Sequence, residues 1–259
     1  MPVFNHEKSK IPGFLLNSVP KSGTHLLKQI LLGIPDTFHI PGNVIYEGLE
    51  KDHNKHLQTM KTLRDNEIIM GHIYYSERWA KLLSDYQIKQ VFIIRDLRDV
   101  VVSLTYFIKS KLPDHPLYPL FTQPGTTQKD CYLSLINGVK TKDIKYGNIA
   151  EFFRDFSGWV NQGEVLTVTY EELMESTQSR RKSLQHIAQY LTKELNYPLS
   201  INEMVHHMEA NILPSQSPTF RKGGIGSWKE EFDDEVKEAF KKVAGDLLIQ
   251  LGYEKNHVW

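Results

Sequence analysis

The five residues Pro20-Lys21-Ser22-Gly23-Thr24 put a cation, a flexible glycine and two hydroxyls side by side. Glycine lets the main chain approach an anion closely, and the free N–H groups at a helix start point toward it. The chemistry implied is a phosphate cradle. Its order differs from the nucleoside-triphosphate loop G-x-x-x-x-G-K-[ST], where the lysine directly follows the second glycine. Here Lys21 stands two residues before Gly23, and Gly13 is out of register. The ordinary alternative is a surface turn at a strand end.

A second set runs from Arg95 to Ser103 behind the apolar run 90–94 (QVFII). An arginine at the carboxyl end of a parallel strand faces the crevice where open α/β sheets bind ligands, and Ser103 lies two helical turns on. Guanidinium and hydroxyl together suit a terminal phosphate, because arginine offers paired charge-assisted bonds. The competing assignment pairs Arg95 internally with Asp96 or Asp99. A third set, Arg221-Lys222-Gly223-Gly224-Ile225-Gly226-Ser227-Trp228-Lys229, joins two adjacent cations to three glycines, a cationic loop able to wrap a phosphate. By itself it also suits a solvated loop capped by Trp228.

These residues need elements to hold them. Residues 13–19 predict a buried strand, and Leu26, Leu27, Ile30 and Leu31 follow at helical spacing. Residues 67–71, 90–94 and 165–169 predict three more strands. A helix is expected from Leu97, with Val101, Leu104, Phe107 and Ile108 on one side. The last helix carries Phe232, Val236, Phe240, Val243, Leu247 and Leu251 and stops at Gly252. Strands alternating with helices predict an α/β fold with a central parallel sheet covered on both faces. Residues 35–65 and 109–145 fit neither period and are long enough to serve as substrate loops. No linker divides the chain, so a single domain over 1–259 is expected.

Composition narrows the function classes. Of 259 residues, 40% are hydrophobic and 24% charged, as in a soluble globular protein with a sizeable core. Lys+Arg and Asp+Glu both number 31, so the charge is balanced. A nucleic-acid or anionic-membrane binder would show a basic excess, and any anion site must be a local cluster. Cys131 is the single cysteine, which excludes an internal disulfide and a cysteine zinc cage. No apolar run is long enough for a membrane span and the N-terminus lacks a signal-peptide core, so a cytoplasmic location is expected. No pair of histidines stands at convincing helical spacing beside a carboxylate, and no metal is expected.

Taken together, the three sets resemble the sulfotransferases that use 3′-phosphoadenosine 5′-phosphosulfate (PAPS), in order and spacing, over about residues 13–252. Pro20-Lys21-Ser22-Gly23-Thr24 is similar to that family's 5′-phosphosulfate loop, Arg95 with Ser103 to its 3′-phosphate site, and Arg221 to Lys229 to its late R-K-G-x-x-G-x-W-K loop. Tyr170, before Glu171-Glu172-Leu173, matches the family's nucleotide-contacting tyrosine. The resemblance implies a P-loop, nucleotide-kinase-like three-layer sandwich. It assigns Lys21 to the leaving phosphate and Ser22, Gly23 and Thr24 to the 5′-phosphate, with His25 beside them in the nucleotide site. Arg95, Ser103, Arg221 and the Gly223 N–H go to the 3′-phosphate, with Lys222 adjacent. The product would be 3′-phosphoadenosine 5′-phosphate (PAP).

The resemblance also points to His72, in Met70-Gly71-His72, as the general base. Imidazole titrates near neutrality and can accept a proton at working pH. Glu47 is the rival, because some branches use a glutamate soon after the phosphate loop. His53, His56, His206 and His207 are expected on solvated faces. Leu26 stands where many members stack a tryptophan on adenine, Val205 where another aromatic would flank it, Met70 where many carry a lysine, and Ser227 where an aspartate is usual. The family's short C-terminal dimer motif is not kept, since Asp233-Asp234 replace its Thr-Val, so no assembly state follows. Tyr74, Tyr75, Tyr106, Phe107, Tyr118, Phe121 and Tyr132 suggest an aromatic pocket for a small apolar or aryl acceptor, which would offer a hydroxyl or, as the second choice, an amine. Two other functions stay open: a P-loop phosphotransferase or NTPase, in which Asp96 would hold magnesium, and a catalytically silent nucleotide-binding module.

Overall fold

Strand β1 (Phe14–Ser18) is buried at all five positions, as is β4 (Gln90–Ile94). Such runs can be satisfied only in the middle of a sheet covered on both faces. In the computed structural model, which describes residues 10–48, 53–160, 162–213 and 223–259, β1 and β4 are neighbours. With β2 (Val44–Tyr46), β3 (Ile68–His72) and β7 (Val165–Thr169) they form a parallel sheet in the order β2-β3-β1-β4-β7. A small antiparallel pair, β5 (Val139–Lys140) and β6 (Lys145–Tyr146), lies apart from it.

Alternation along the strands separates two cores. Leu15, Ile69, Phe92 and Ile94 face one cluster, with side chains from α3 (Glu77–Asp85), α4 (Leu97–Lys111), α6 (Gln128–Asn137), α7 (Ile149–Ser157) and α12 (Asp234–Gln250). Phe14, Leu16, Ile68, Met70, Val91 and Ile93 face the other, with α1 (Thr24–Leu32), α8 (Tyr170–Met174), α9 (Thr177–Thr192) and α10 (Ile201–Ala210). The result is the expected three-layer α/β sandwich. Each fully buried leucine- or phenylalanine-sized side chain contributes about 1.5–3 kcal/mol, so both faces hold the sheet.

The long connections carry more regular structure than their sequence suggests. Residues 35–65 hold β2 and α2 (His53–Lys61). Residues 109–145 hold α5 (Tyr118–Thr122), α6 and the β5–β6 pair. His56, expected on a solvated face, is instead buried against Trp79, with ring centroids 6.2 Å apart. The last helix starts later than predicted. Phe232 caps the short α11 (Trp228–Glu231), and Asp233 opens α12 by accepting from the Val236 N–H at 3.0 Å. Its end at Gly252, with φ +79°, is as predicted. Among the described residues, no helix is long and apolar enough to cross a membrane.

Candidate active site

The candidate residues gather at the sheet's carboxyl edge. After β1 the chain turns through Lys21 (φ +70°) and Gly23 (φ +102°) into α1. A left-handed lysine is uncommon and costs free energy, as at many ligand sites. Helix α1 has no side-chain cap and no acid in its first turn, so its N–H groups and positive dipole end have no negative partner there. Ser22 Oγ is buried with no hydrogen-bond partner among the described residues. Lys21 Nζ lies 3.7 Å from the Phe107 ring centroid. Burial, and then the Arg95 charge, lower its pKa to about 8. Two close cations at an uncapped helix make a site for an anion.

Arg95 follows β4 and is both paired and directed at the same cavity. Its Nη2 donates to Asp99 Oδ2 at 3.2 Å and to the Gly224 carbonyl at 2.8 Å, while Nε has no partner among the described residues. The guanidinium lies 4.2 Å from the Tyr170 ring centroid. Tyr170 in turn packs over Gly23, where a Cβ would fall 2.6 Å from its ring. Thus Arg95 is paired internally with Asp99 and still lines the cavity. Asp96 belongs elsewhere: it caps α4 and holds Arg98, the closest contact being Nη2–Oδ2 at 2.7 Å. Arg98 also stacks on Trp228 and Trp259, at 3.8 and 4.4 Å. With its carboxylate committed to Arg98, Asp96 is a poor magnesium ligand, which counts against the phosphotransferase alternative. Among the described residues, no group of three His, Cys, Asp or Glu is placed to hold a metal.

His72 closes β3 beside the phosphate loop. Asn17, fully buried, ties β1 to the next residue by donating to the Ile73 carbonyl and accepting from the Ile73 N–H. His72 Nδ1 lies 2.8 Å from the Ser18 carbonyl and 3.1 Å from Ser18 Oγ, and that hydroxyl is 2.7 Å from Thr24 Oγ1. A carbonyl can only accept, so Nδ1 carries the proton and Nε2 is the basic nitrogen. The Tyr46 ring stacks on the imidazole at 5.1 Å. Burial, opposed by the Ser18 bond and reinforced by Lys21 and His25, lowers the His72 pKa to about 4. Glu47 is occupied differently: Oε2 accepts the Tyr74 N–H at 2.8 Å and Oε1 the Trp79 indole at 3.0 Å. It ties β2 to α3.

One cavity of about 980 Å³ joins these parts. Lys21, Gly23, Thr24, His25, His72, Arg95, Ser103, Tyr170 and Gly223 all line it, as do Gly224 and Ser227. Ser22 lies beneath the loop, fully buried. Arg221 and Lys222 fall outside the described residues. Leu26, Gln29, Met174, Arg180 and Ile212 supply a further, largely aliphatic wall, whereas Val205 is buried in the core and does not reach the cavity. Of the aromatics predicted for the acceptor, Tyr74 and Phe107 line it. Tyr106 and Tyr132 instead donate to Glu231, Phe121 is core, and Tyr75 and Tyr118 pack at the edge of that core. Tyr46, His115, Tyr146, Phe152 and Phe156 were not foreseen at this wall. Tyr46, His115 and Tyr146 come from short strands and connections with little periodicity, whereas Phe152 and Phe156 lie on the amphipathic helix α7, whose helical spacing of apolar residues could have signalled them.

The sulfotransferase domain family matches residues 12–252. The 3-beta-hydroxysteroid sulfotransferase of Cavia porcellus is 29% identical over 248 residues, which span 86% of this chain and 79% of that protein. Sulfotransferase 1A1 of Mus musculus is 25% identical over 272 residues, 90% of this chain and 84% of its own length. Among solved structures, mouse sulfotransferase SULT7A1 complexed with PAP aligns with a TM-score of 0.64 at 21% identity, covering 92% of this chain and 84% of that one. Retinol dehydratase in complex with androsterone and inactive cofactor PAP aligns with a TM-score of 0.58 at 18% identity, covering 91% and 80%. At these identities the structural likeness speaks to the fold.

Proposed function

This chain belongs to the sulfotransferase domain family, and from that premise we propose that it moves the sulfuryl group of PAPS to a hydroxyl of a small apolar or aromatic acceptor, with His72 as general base. The observation that carries the proposal is convergence. Lys21, Arg95 and the late-loop residues Gly223 and Gly224, far apart in sequence, share one cavity with His72. We read residues 1–259 as one sulfotransferase domain.

The residues present fit a doubly phosphorylated nucleotide. An uncapped helix start, with the Ser22 hydroxyl unpartnered among the described residues, suits the 5′-phosphate; Arg95, whose Nε is likewise unpartnered among them, and Ser103 line the same cavity and suit the 3′-phosphate. Leu26, Met174 and Ile212 offer aliphatic surfaces for adenine in place of an aromatic stack. When bound, PAPS supplies an activated sulfur whose bond to the phosphate oxygen breaks as the acceptor oxygen bonds to it. His72 Nε2 takes the acceptor proton. Lys21 stabilises charge growing on the leaving phosphate. Tyr74, Tyr146, Phe152 and Phe156 line the acceptor end with apolar surface, which excludes water and favours an aromatic or alicyclic alcohol.

Thermal unfolding with PAP, ADP and ATP tests the donor class before the acceptor is known. A ligand at 100 times its Kd stabilises the fold by about 2.7 kcal/mol. PAP is expected to raise Tm well beyond ADP or ATP. A magnesium-dependent shift with ATP and none with PAP would overturn the proposal, and tight PAP binding without transfer to any hydroxyl in a broad acceptor panel would leave only a silent binding module.

A further inference from the structure

Asp99 presents a physical difficulty: a carboxylate, 1% exposed, at the wall of a cavity read as receiving a polyanion. Unbalanced, it would repel that ligand and be costly to bury. Its charge is balanced from three sides. Oδ2 accepts from Arg95 Nη2 at 3.2 Å and from the Gly226 N–H at 2.8 Å, and Oδ1 accepts from the Trp228 N–H at 3.1 Å. The α4 dipole adds a fourth favourable contribution, because Asp99 sits in that helix's first turn.

The consequences run in two directions. Arg95 has its Nη2 held between Asp99 and the Gly224 carbonyl and its flat face against Tyr170, so its remaining N–H groups are fixed in direction. Its Nε is without a partner among the described residues. The late loop, 127 and 129 residues away in sequence, is anchored to the same carboxylate by two amides. One side chain therefore sets both the arginine and the loop that close the cavity on this side.

We infer that Asp99 is a positioning residue for the donor's 3′-phosphate, aiming Arg95 and seating Gly223–Trp228 before any nucleotide arrives. Preorganisation of this kind lowers the cost of binding without a direct contact to the ligand. The inference rests on the proposed use of PAPS. It predicts that Asp99 governs the share of affinity owed to the 3′-phosphate and leaves the rest of the nucleotide site alone.

AMP and PAP differ by that one phosphate, so the ratio of their dissociation constants isolates it. In the unaltered protein PAP is expected to bind far more tightly than AMP. Asp99→Asn keeps the shape but turns an NH₂ toward donors, and should shrink the ratio roughly tenfold or more, the scale of a lost charge-assisted bond, with AMP affinity nearly unchanged. Loss of affinity for both nucleotides in equal measure, or an unchanged ratio, would overturn the inference while the donor class stands. A wild-type protein that does not prefer PAP would instead bring down the donor assignment itself. If the variant does not fold, amide exchange in the nucleotide-free wild type decides: Gly226 and Trp228 should exchange much more slowly than Ile225, and equal rates would overturn the inference.

Discussion

His72 donates from Nδ1 to the main-chain carbonyl of Ser18 at 2.8 Å. That bond fixes the tautomer and ties the imidazole to the strand that leads into the Pro20–Thr24 turn, so the proposed base and the proposed leaving-group site are set by one backbone segment. His72→Ala should lower kcat by about 10²–10⁴ while PAP affinity holds. Glu47→Gln is the matched control. It places an amide NH₂ against the Tyr74 or Trp79 N–H and should cost about 1–3 kcal/mol in unfolding free energy, with the pH–rate profile unmoved. Steady-state kinetics with denaturant titration on both variants would show it. A rate that survives in the histidine variant and collapses in the glutamate variant exchanges their roles.

The acid limb of the rate profile should lie well below that of an ordinary histidine. His72 is lowered to about 4, chiefly by burial, so it stays neutral through the range where a free imidazole, at about 6.5, becomes charged. kcat/KM for the acceptor at saturating PAPS should hold near its plateau down to about pH 5.5, where an unperturbed histidine would be about nine-tenths protonated. Stability follows the same proton. Between the unfolded value near 6.5 and the folded value near 4, the unfolded chain binds a proton that the folded one does not, so stability falls as pH falls through that window. A limb with its midpoint near the free-imidazole value would contradict this placement of His72.

How far residue order alone reveals this architecture depends on where each contact is made. Strands β4 and β7 lie within continuous apolar or β-branched runs, and the three motif sets are local clusters that stand out without coordinates. Strand β2 is three residues long and buries only Ile45, while α2 buries only His56 and Met60, so neither shows a period. The proposed acceptor wall is legible only in part, because Tyr146 reaches it from β6 and Phe152 and Phe156 from α7, elements that carry none of the nucleotide motifs. Tyr106 and Tyr132 have the same composition signal but turn toward Glu231. Asp99 looked like a rival partner for Arg95. Only the fold reveals that the same carboxylate also seats a loop more than a hundred residues later.

Gly23 is the position where the smallest change should do the most. A side chain there meets a left-handed backbone, at about 1–2 kcal/mol, and a Cβ would approach the Tyr170 ring to 2.6 Å. Tyr170 must shift, and with it the face against which Arg95 lies. Gly23→Ala should therefore lose both stability and PAP affinity, the latter roughly tenfold. Denaturant unfolding and PAP titration on the same preparation provide the check. Reduced stability with unaltered PAP binding would mean that the Gly23–Tyr170–Arg95 stack does not transmit to the ligand.

Lys21 supplies a signature that needs no mutation. Without ligand its pKa is about 8, held down by burial and by the Arg95 charge. A phosphate beside it favours the ammonium form and raises that value in the complex. Phosphate groups have their second pKa near 6, so above about pH 8 the ligand is already fully ionised and contributes no proton of its own. Binding of PAP above about pH 8 should then draw a proton from solvent onto Lys21, while near pH 6.5 no net uptake is expected from this lysine, already charged in both states. Calorimetric titration in two buffers of different ionisation enthalpy reads the uptake directly as a buffer-dependent heat. Lys21→Met should abolish that difference and weaken PAP binding. Heats identical in the two buffers on the alkaline side would show that the lysine does not face the bound phosphate, and the assignment of the leaving-group site would have to move to another cation.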